Sequence, residues 1–148
     1  MPATSRQDLL SAAQAFCNTF ADQKPPEEIF SHFSSSDGVL ALEHGLPQLA
    51  PFVGREFRGQ DGIRQYFQLL SETLKYENMR FSNFVVDQEV SKVSCRGEAR
   101  FVWAATGQGW DEVFTYVLEF DEQNKVKVYE IWADTGAAYL ASRAELKQ

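Results

Sequence analysis

Apolar residues recur at helical spacing along the first half of the chain and at strand spacing along the second. Leu9, Leu10, Ala13, Phe16, Cys17 and Phe20 form one stripe of a helix running from Ser5 to about Asp22. Ser5, with Asp8 three residues on, resembles a capping box. Pro25 and Pro26 open a short second helix whose Ile29, Phe30 and Phe33 point inward. The Ser/Asp/Gly run from Ser34 to Gly38 is a loop, and Val39 to Glu43 is a short apolar strand. A third helix runs from Asp61, its expected N-cap, to Leu74, burying Ile63, Tyr66, Phe67 and Leu70.

From there the period changes to two. Strands are expected over Phe81 to Val90, Val93 to Ala105, Trp110 to Phe120 and Lys125 to Asp134. Val93, Cys95, Ala99, Phe101, Trp103 and Ala105 share one face of the second run, while Ser94, Arg96, Glu98 and Arg100 share the other. Such alternation marks a sheet with one buried and one wet face. Thr106 to Gly109 is a hairpin turn, and Gly136 to about Leu146 forms a closing helix. Helices first and an antiparallel sheet after predict an α+β fold, a cone whose strongly curved sheet wraps around the N-terminal helices. The inside of a cone is a pocket, so function falls to the inward-facing residues.

Composition narrows what that pocket can be. A chain of 148 residues fits one domain, spanning 1–148, with enough interior for a core. Twelve Phe, five Tyr and three Trp suit an apolar ligand cavity. A net charge of −7 argues against nucleic acid or an anionic membrane surface as partner. Cys17 and Cys95 match no metal spacing and read as buried small hydrophobes. The N-terminus shows no secretory pattern and no window spans a membrane, so a cytoplasmic setting is expected. No metal triad, nucleophile elbow or phosphate-binding glycine loop is present. Acid–base chemistry without a cofactor, or no chemistry at all, is what this leaves.

Three segments carry a family resemblance. Pro51 to Phe67, PFVGREFRGQDGIRQYF, is similar to the "P-F-x-G-x-Y-x-G-x-D-G-I-x-x-F-F" signature of the SnoaL-like branch of the nuclear transport factor two-like superfamily. Trp110 to Phe114, WDEVF, resembles its "W-x-H-V-F" strand, and Lys125 to Thr135 resembles its final strand. The resemblance implies the cone fold of ketosteroid isomerase, scytalone dehydratase and polyketide cyclases, a homodimer, and a small apolar ligand. A fold that hosts so many chemistries does not name one. Two departures stand out: Glu112 occupies a position often held by His, and Glu130 one often held by Arg. Carboxylates there would disfavour a substrate anion.

The strand period puts Trp110, Glu112, Phe114, Tyr116, Leu118 and Phe120 on one face. Glu112 is therefore a carboxyl on an aromatic face, which suits it to acid or base work, unless it reaches water at the strand end. On the last strand neither parity is cleanly polar; the resemblance favours Glu130, Trp132 and Asp134 as the inward set. Asp134 can equally cap the closing helix. Glu43 and His44 end the first strand with opposite parity, and His44 is either an acid/base or a loop residue. Tyr66 can donate to a developing oxyanion, as Tyr does in ketosteroid isomerase, or simply pack in the core. The candidate catalytic set is thus Glu112, Glu130, His44, Asp134 and Tyr66. The candidate substrate-binding set is Trp103, Trp110, Phe114, Tyr116, Trp132 and Glu43. The function expected is an isomerase, cyclase, dehydratase or hydrolase acting on a small apolar, polycyclic metabolite; the alternative is a non-catalytic binding or dimeric interaction module.

Overall fold

Ser5 starts the first helix as its spacing predicts. In the computed structural model, which describes residues 4–147, its side chain accepts from the Asp8 N–H at 3.0 Å, and α1 (Arg6–Ala21) follows. The chain continues as α2 (Pro26–Phe30), β1 (Leu40–Glu43), a 3-10 turn (Pro47–Leu49), β2 (Glu56–Arg58), α3 (Gly59–Thr73), β3 (Leu74–Asp87), β4 (Lys92–Trp103), β5 (Gly109–Phe120), β6 (Val126–Trp132) and α4 (Thr135–Ser142). The first three residues of the N-terminal stretch read for a secretory pattern lie outside the described residues. Among the described residues no helix is long and apolar enough to cross a membrane.

The six strands form one sheet in the order β2-β1-β6-β5-β4-β3. Every neighbouring pair is antiparallel except β1 with β6, which run parallel with Glu43 opposite Ile131. The sheet curls around α1 and α3 without closing, the α+β cone that the change of hydrophobic period implies. α1 fills one half: Phe16 meets Phe20, Phe33 and Tyr129 edge-on at 5.1–5.4 Å. Cys17 and Cys95 are both buried free thiols, their sulfurs 3.8 Å apart in the same half. The other half, at the ends of β1, β4 and β6 and the starts of β3 and β5, is left to a cavity.

Several boundaries differ from the sequence expectation. Asp61 does not cap α3; the helix begins two residues earlier, Arg58 takes the N-cap position without a side-chain bond, and Asp61 lies in the first turn, where its charge suits the helix dipole. β3 begins at Leu74, directly out of α3, rather than at Phe81, and stops at Asp87 rather than Val90. Its register against β4 shifts twice, between Glu77 and Arg80 and between Ser82 and Val85. Asn78 and Asn83, both at positive φ, sit in those two bulges. Each bulge resets which parity faces inward, so period two is lost over the strand. Bulges on an outermost strand also guard a free sheet edge against pairing. The closing helix ends at Ser142, but Gln108 still ties the tail: its side chain exchanges bonds with the backbone of Leu146.

The Pro51–Phe67 segment holds the end of β1 in place. Gly54, at φ 74°, donates its N–H to the Glu43 carbonyl at 2.8 Å. A Cβ there would lie 2.5 Å from the Gly45 carbonyl oxygen, so only glycine fits. The glycine of this motif thereby fixes the backbone of a cavity residue.

Candidate active site

The cavity has a volume of about 210 Å³ and opens partly to solvent. Aromatic rings dominate its wall: Phe67, Phe101, Trp110, Phe114, Tyr116 and Tyr129 come from α3 and three neighbouring strands. Alternation explains them. Along β5 every even residue from Trp110 to Phe120 is buried, and Trp110, Glu112, Phe114 and Tyr116 line the cavity.

Two carboxyl groups face this space. Glu43 is 6% exposed at the end of β1, and Glu112 is 9% exposed on β5. The Tyr66 hydroxyl donates to Glu43 Oε1 at 2.8 Å, and the Trp110 indole N–H donates to Glu112 Oε1 at 2.8 Å. Burial pushes the Glu43 carboxyl up to about 8; the Tyr66 bond works against that, and the neighbouring Glu112 adds to it. Burial likewise raises Glu112 to about 7; the Trp110 bond opposes it, the Asp134 charge reinforces it, and the Asp134 backbone N–H counters. A carboxylate is held ionised by several N–H donors or a close cation. One neutral side-chain donor each is too little to offset desolvation, so burial wins at both.

Tyr66 is 1% exposed, and burial, ahead of the Glu43 charge, holds its hydroxyl proton far more firmly than usual. It therefore serves both readings made of it: it packs in the core and donates from it. Tyr116 and Tyr129, also cavity-lining, are raised first by burial. Asp134 accepts from the Ala137 N–H at 3.0 Å as the N-cap of α4, and it also lines the cavity beside Glu112.

Four expected site residues lie elsewhere. On β6 it is Tyr129 and Ile131 that turn inward, while Glu130 and Trp132 are on the outer face. The parallel register with β1 accounts for this, since it sets Glu130 opposite Leu42 and leaves Ile131 beside inward-facing Glu43. His44, one residue past Glu43, also points outward. Its Nε2 donates to Glu130 Oε2 at 2.7 Å and its ring stacks on Trp132 at 4.2 Å. His44, Glu130 and Trp132 thus form one cluster on the wet side, away from the cavity. Trp103 is buried against Phe52 but is not among the residues lining the cavity. Conversely, Glu43, expected in the substrate-binding set, is the most deeply buried acid of the site; its parity opposite His44 was the available signal. Among the described residues no cluster of three or more His, Cys, Asp or Glu is disposed to hold a metal ion.

No family profile matches the chain, and no curated protein sequence matches it. Solved structures do match over nearly its whole length. TerC, co-crystallised with polyporic acid, superposes with a TM-score of 0.76 at 17% identity, covering 92% of this chain and 98% of that one. BvnE pinacolase from Penicillium brevicompactum gives 0.68 at 20% identity, with 96% and 95% covered. A protein from Jannaschia sp. CCS1 described as a SnoaL-like polyketide cyclase gives 0.74 at 12% identity, with 95% and 94% covered. An NTF2-like protein of unknown function from Burkholderia pseudomallei gives 0.72 at 12% identity, with 87% and 92% covered. Likeness at such identities speaks for architecture rather than reaction. The chain has the cone-shaped fold of the NTF2-like (nuclear transport factor two-like) superfamily.

Proposed function

We propose that this protein is an acid–base enzyme acting on a small, largely apolar molecule of one or two rings. The observation that carries the reading is the pair Glu43 and Glu112, two desolvated carboxyls in one aromatic cavity, held near pH 8 and pH 7. Two groups whose environments set them apart near neutrality are what proton shuttling needs. Glu112, the more acidic, is the base. It takes a proton from a carbon next to a carbonyl. Glu43, still protonated, donates to the carbonyl oxygen as charge develops there, and Tyr66 positions it. Return of the proton from Glu112 to another carbon, with the enol O–H proton going back to Glu43, completes an isomerisation; if instead a hydroxyl leaves as water with the Glu112 proton while Glu43 recovers its own, the outcome is dehydration. The volume of about 210 Å³ supports a substrate smaller than the polycyclic metabolite expected from the sequence.

The tethers from Tyr66 and Trp110 favour a second reading, a non-catalytic binding pocket, because hydrogen-bonded inward carboxyls are what such a pocket would show. Exchange chemistry separates the two without knowledge of the true substrate. The enzyme reading predicts that the protein accelerates hydrogen–deuterium exchange next to the carbonyl of cyclohexenone or 2-decalone in D2O. Glu112→Gln keeps the shape and the Trp110 bond, and should cost on the order of 10² or more in rate. No acceleration by the wild type, or an unchanged rate in the variant, would leave the binding reading.

We also propose a homodimer formed through the outer sheet face. Val113 and Trp132 are 53% and 44% exposed there, and half-buried Leu42, Val117 and Val128 share that face. Apolar side chains interspersed with Glu130 and Thr115 across β1, β6 and β5 suit a second copy.

A further inference from the structure

The cavity wall is chemically one-sided. Three acids line it, Glu43, Glu112 and Asp134, and among the described residues lining it there is no Lys, Arg or His. Arginines of the neighbouring strands are engaged elsewhere: Arg80 and Arg96 pair with Glu98, and Arg100 lies 3.6 Å from Asp111 on the outer face. Buried carboxyls ordinarily come with a cation. Here Glu112 has only the Trp110 indole N–H, the Asp134 backbone N–H and a second acid as company. The Trp110 ring is of the type that attracts cations best over its face; its N–H edge is turned to Glu112 and Phe101 stacks on one face at 5.9 Å. An anion would meet repulsion from acids and ring faces together. A neutral ring would fill the space but leave the acids unmatched. A cation is favoured by both at once.

We propose that the ligand of this cavity is an organic cation: an alkylated ammonium whose charged nitrogen sits beside Glu112, Asp134 and Trp110. Its ring, which carries the carbonyl that the acid–base reading requires, extends into the aromatic remainder of the cavity, with that oxygen toward Glu43. This rests on the reading of the cavity as the working site, and it names the substrate class. The size fits. A cavity of about 150 Å³ is enough for a benzene, and the volume here, about 210 Å³, leaves room for one ring with a charged substituent. The charge also serves the chemistry, because a cation beside Glu112 favours its ionised form, the state in which it accepts a proton.

The test uses two probes of one shape, phenyltrimethylammonium and tert-butylbenzene, titrated into the 148-residue protein at neutral pH. The Trp110 indole N–H resonance reports binding. The cation should bind on the order of 10-fold tighter than the neutral isostere. Glu112→Gln should reduce that preference to about threefold or less while the neutral probe still binds. Asp134→Asn, which keeps a good N-cap for α4, should weaken the preference in the same direction. Equal or better binding of tert-butylbenzene would overturn the proposal. So would a cation preference that survives in both variants, or failure of both probes to bind. Loss of deuterium exchange in Glu112→Gln alongside any of these results would leave the acid–base reading standing and remove only the cationic substrate.

Discussion

Glu43 and Glu112 resist ionisation for the same first reason, removal from water, and differ in what stands beside them. That difference orders their roles and sets a pH dependence. The active form has Glu112 ionised and Glu43 protonated. Turnover in the exchange assay should therefore rise through about pH 7 and fall through about pH 8, a narrow bell whose limbs belong to the pair. Glu43→Gln should remove the alkaline limb, since a neutral amide no longer titrates. A profile flat from pH 6 to 9 would contradict the assignment. Stability follows from the same shift. Below about 4.5 the Glu43 carboxyl is protonated whether the chain is folded or not; between there and about 8 only the folded chain keeps the proton. Stability must then decline as pH rises across that window. Glu43→Gln should flatten the decline and leave the protein more stable at pH 9, on the order of 2–4 kcal/mol by urea unfolding. At this scale the sequence was legible where one strand face was clean. Glu112 sits among Trp110, Phe114 and Tyr116, so its direction followed from period two. Glu130 and Trp132 were misplaced because β6 carries apolar residues on both faces, Val128 and Trp132 outward, Tyr129 and Ile131 inward. A lone strand cannot resolve that; its pairing with β1 does.

Elements set where those residues stand. Gly97 on β4 lies opposite Phe114 in the register, and the Phe114 ring fills the space a side chain would take. A Cβ on Gly97 would come within 2.2 Å of that ring. Gly97→Ala should displace Phe114 into the cavity, costing about 1–3 kcal/mol of stability by overpacking and weakening ring-sized ligands. An unchanged melting temperature and unchanged probe binding would show that the ring moves freely. The helices were readable because their stripes are long and their starts chemically marked, Ser5 for α1 and Pro26 for α2. α3 was readable in its face but not in its first residue: Asp61 looked like a cap, while β2 runs straight into the helix with Gly59 at φ 72° making the turn. β3 was only half readable because two asparagine bulges reset its alternation.

At the scale of the whole molecule, the cone separates a wet outer face from an enclosed acid–aromatic interior. The outer face should pair with a second copy. Light scattering at micromolar concentration should give twice the 16.8 kDa chain mass, and Trp132→Glu should return it to a monomer. A monomer in the wild type would contradict the interface. Fold class was legible because the switch from helical to strand period is global and survives local errors. The identity of the second carboxyl was not, because Glu43 and Glu112 are 69 residues apart and meet only when β1 docks beside β6. The central claim is that this docking places two carboxyls in one apolar cavity and holds protons on them near neutrality. Carbon-13 NMR of the side-chain carboxyls, assigned through Glu43→Gln and Glu112→Gln, tests it directly. Two resonances should titrate near pH 8 and pH 7, and removal of Glu112 should lower the Glu43 midpoint. Both carboxyls titrating near 4.5, as in water, would contradict it.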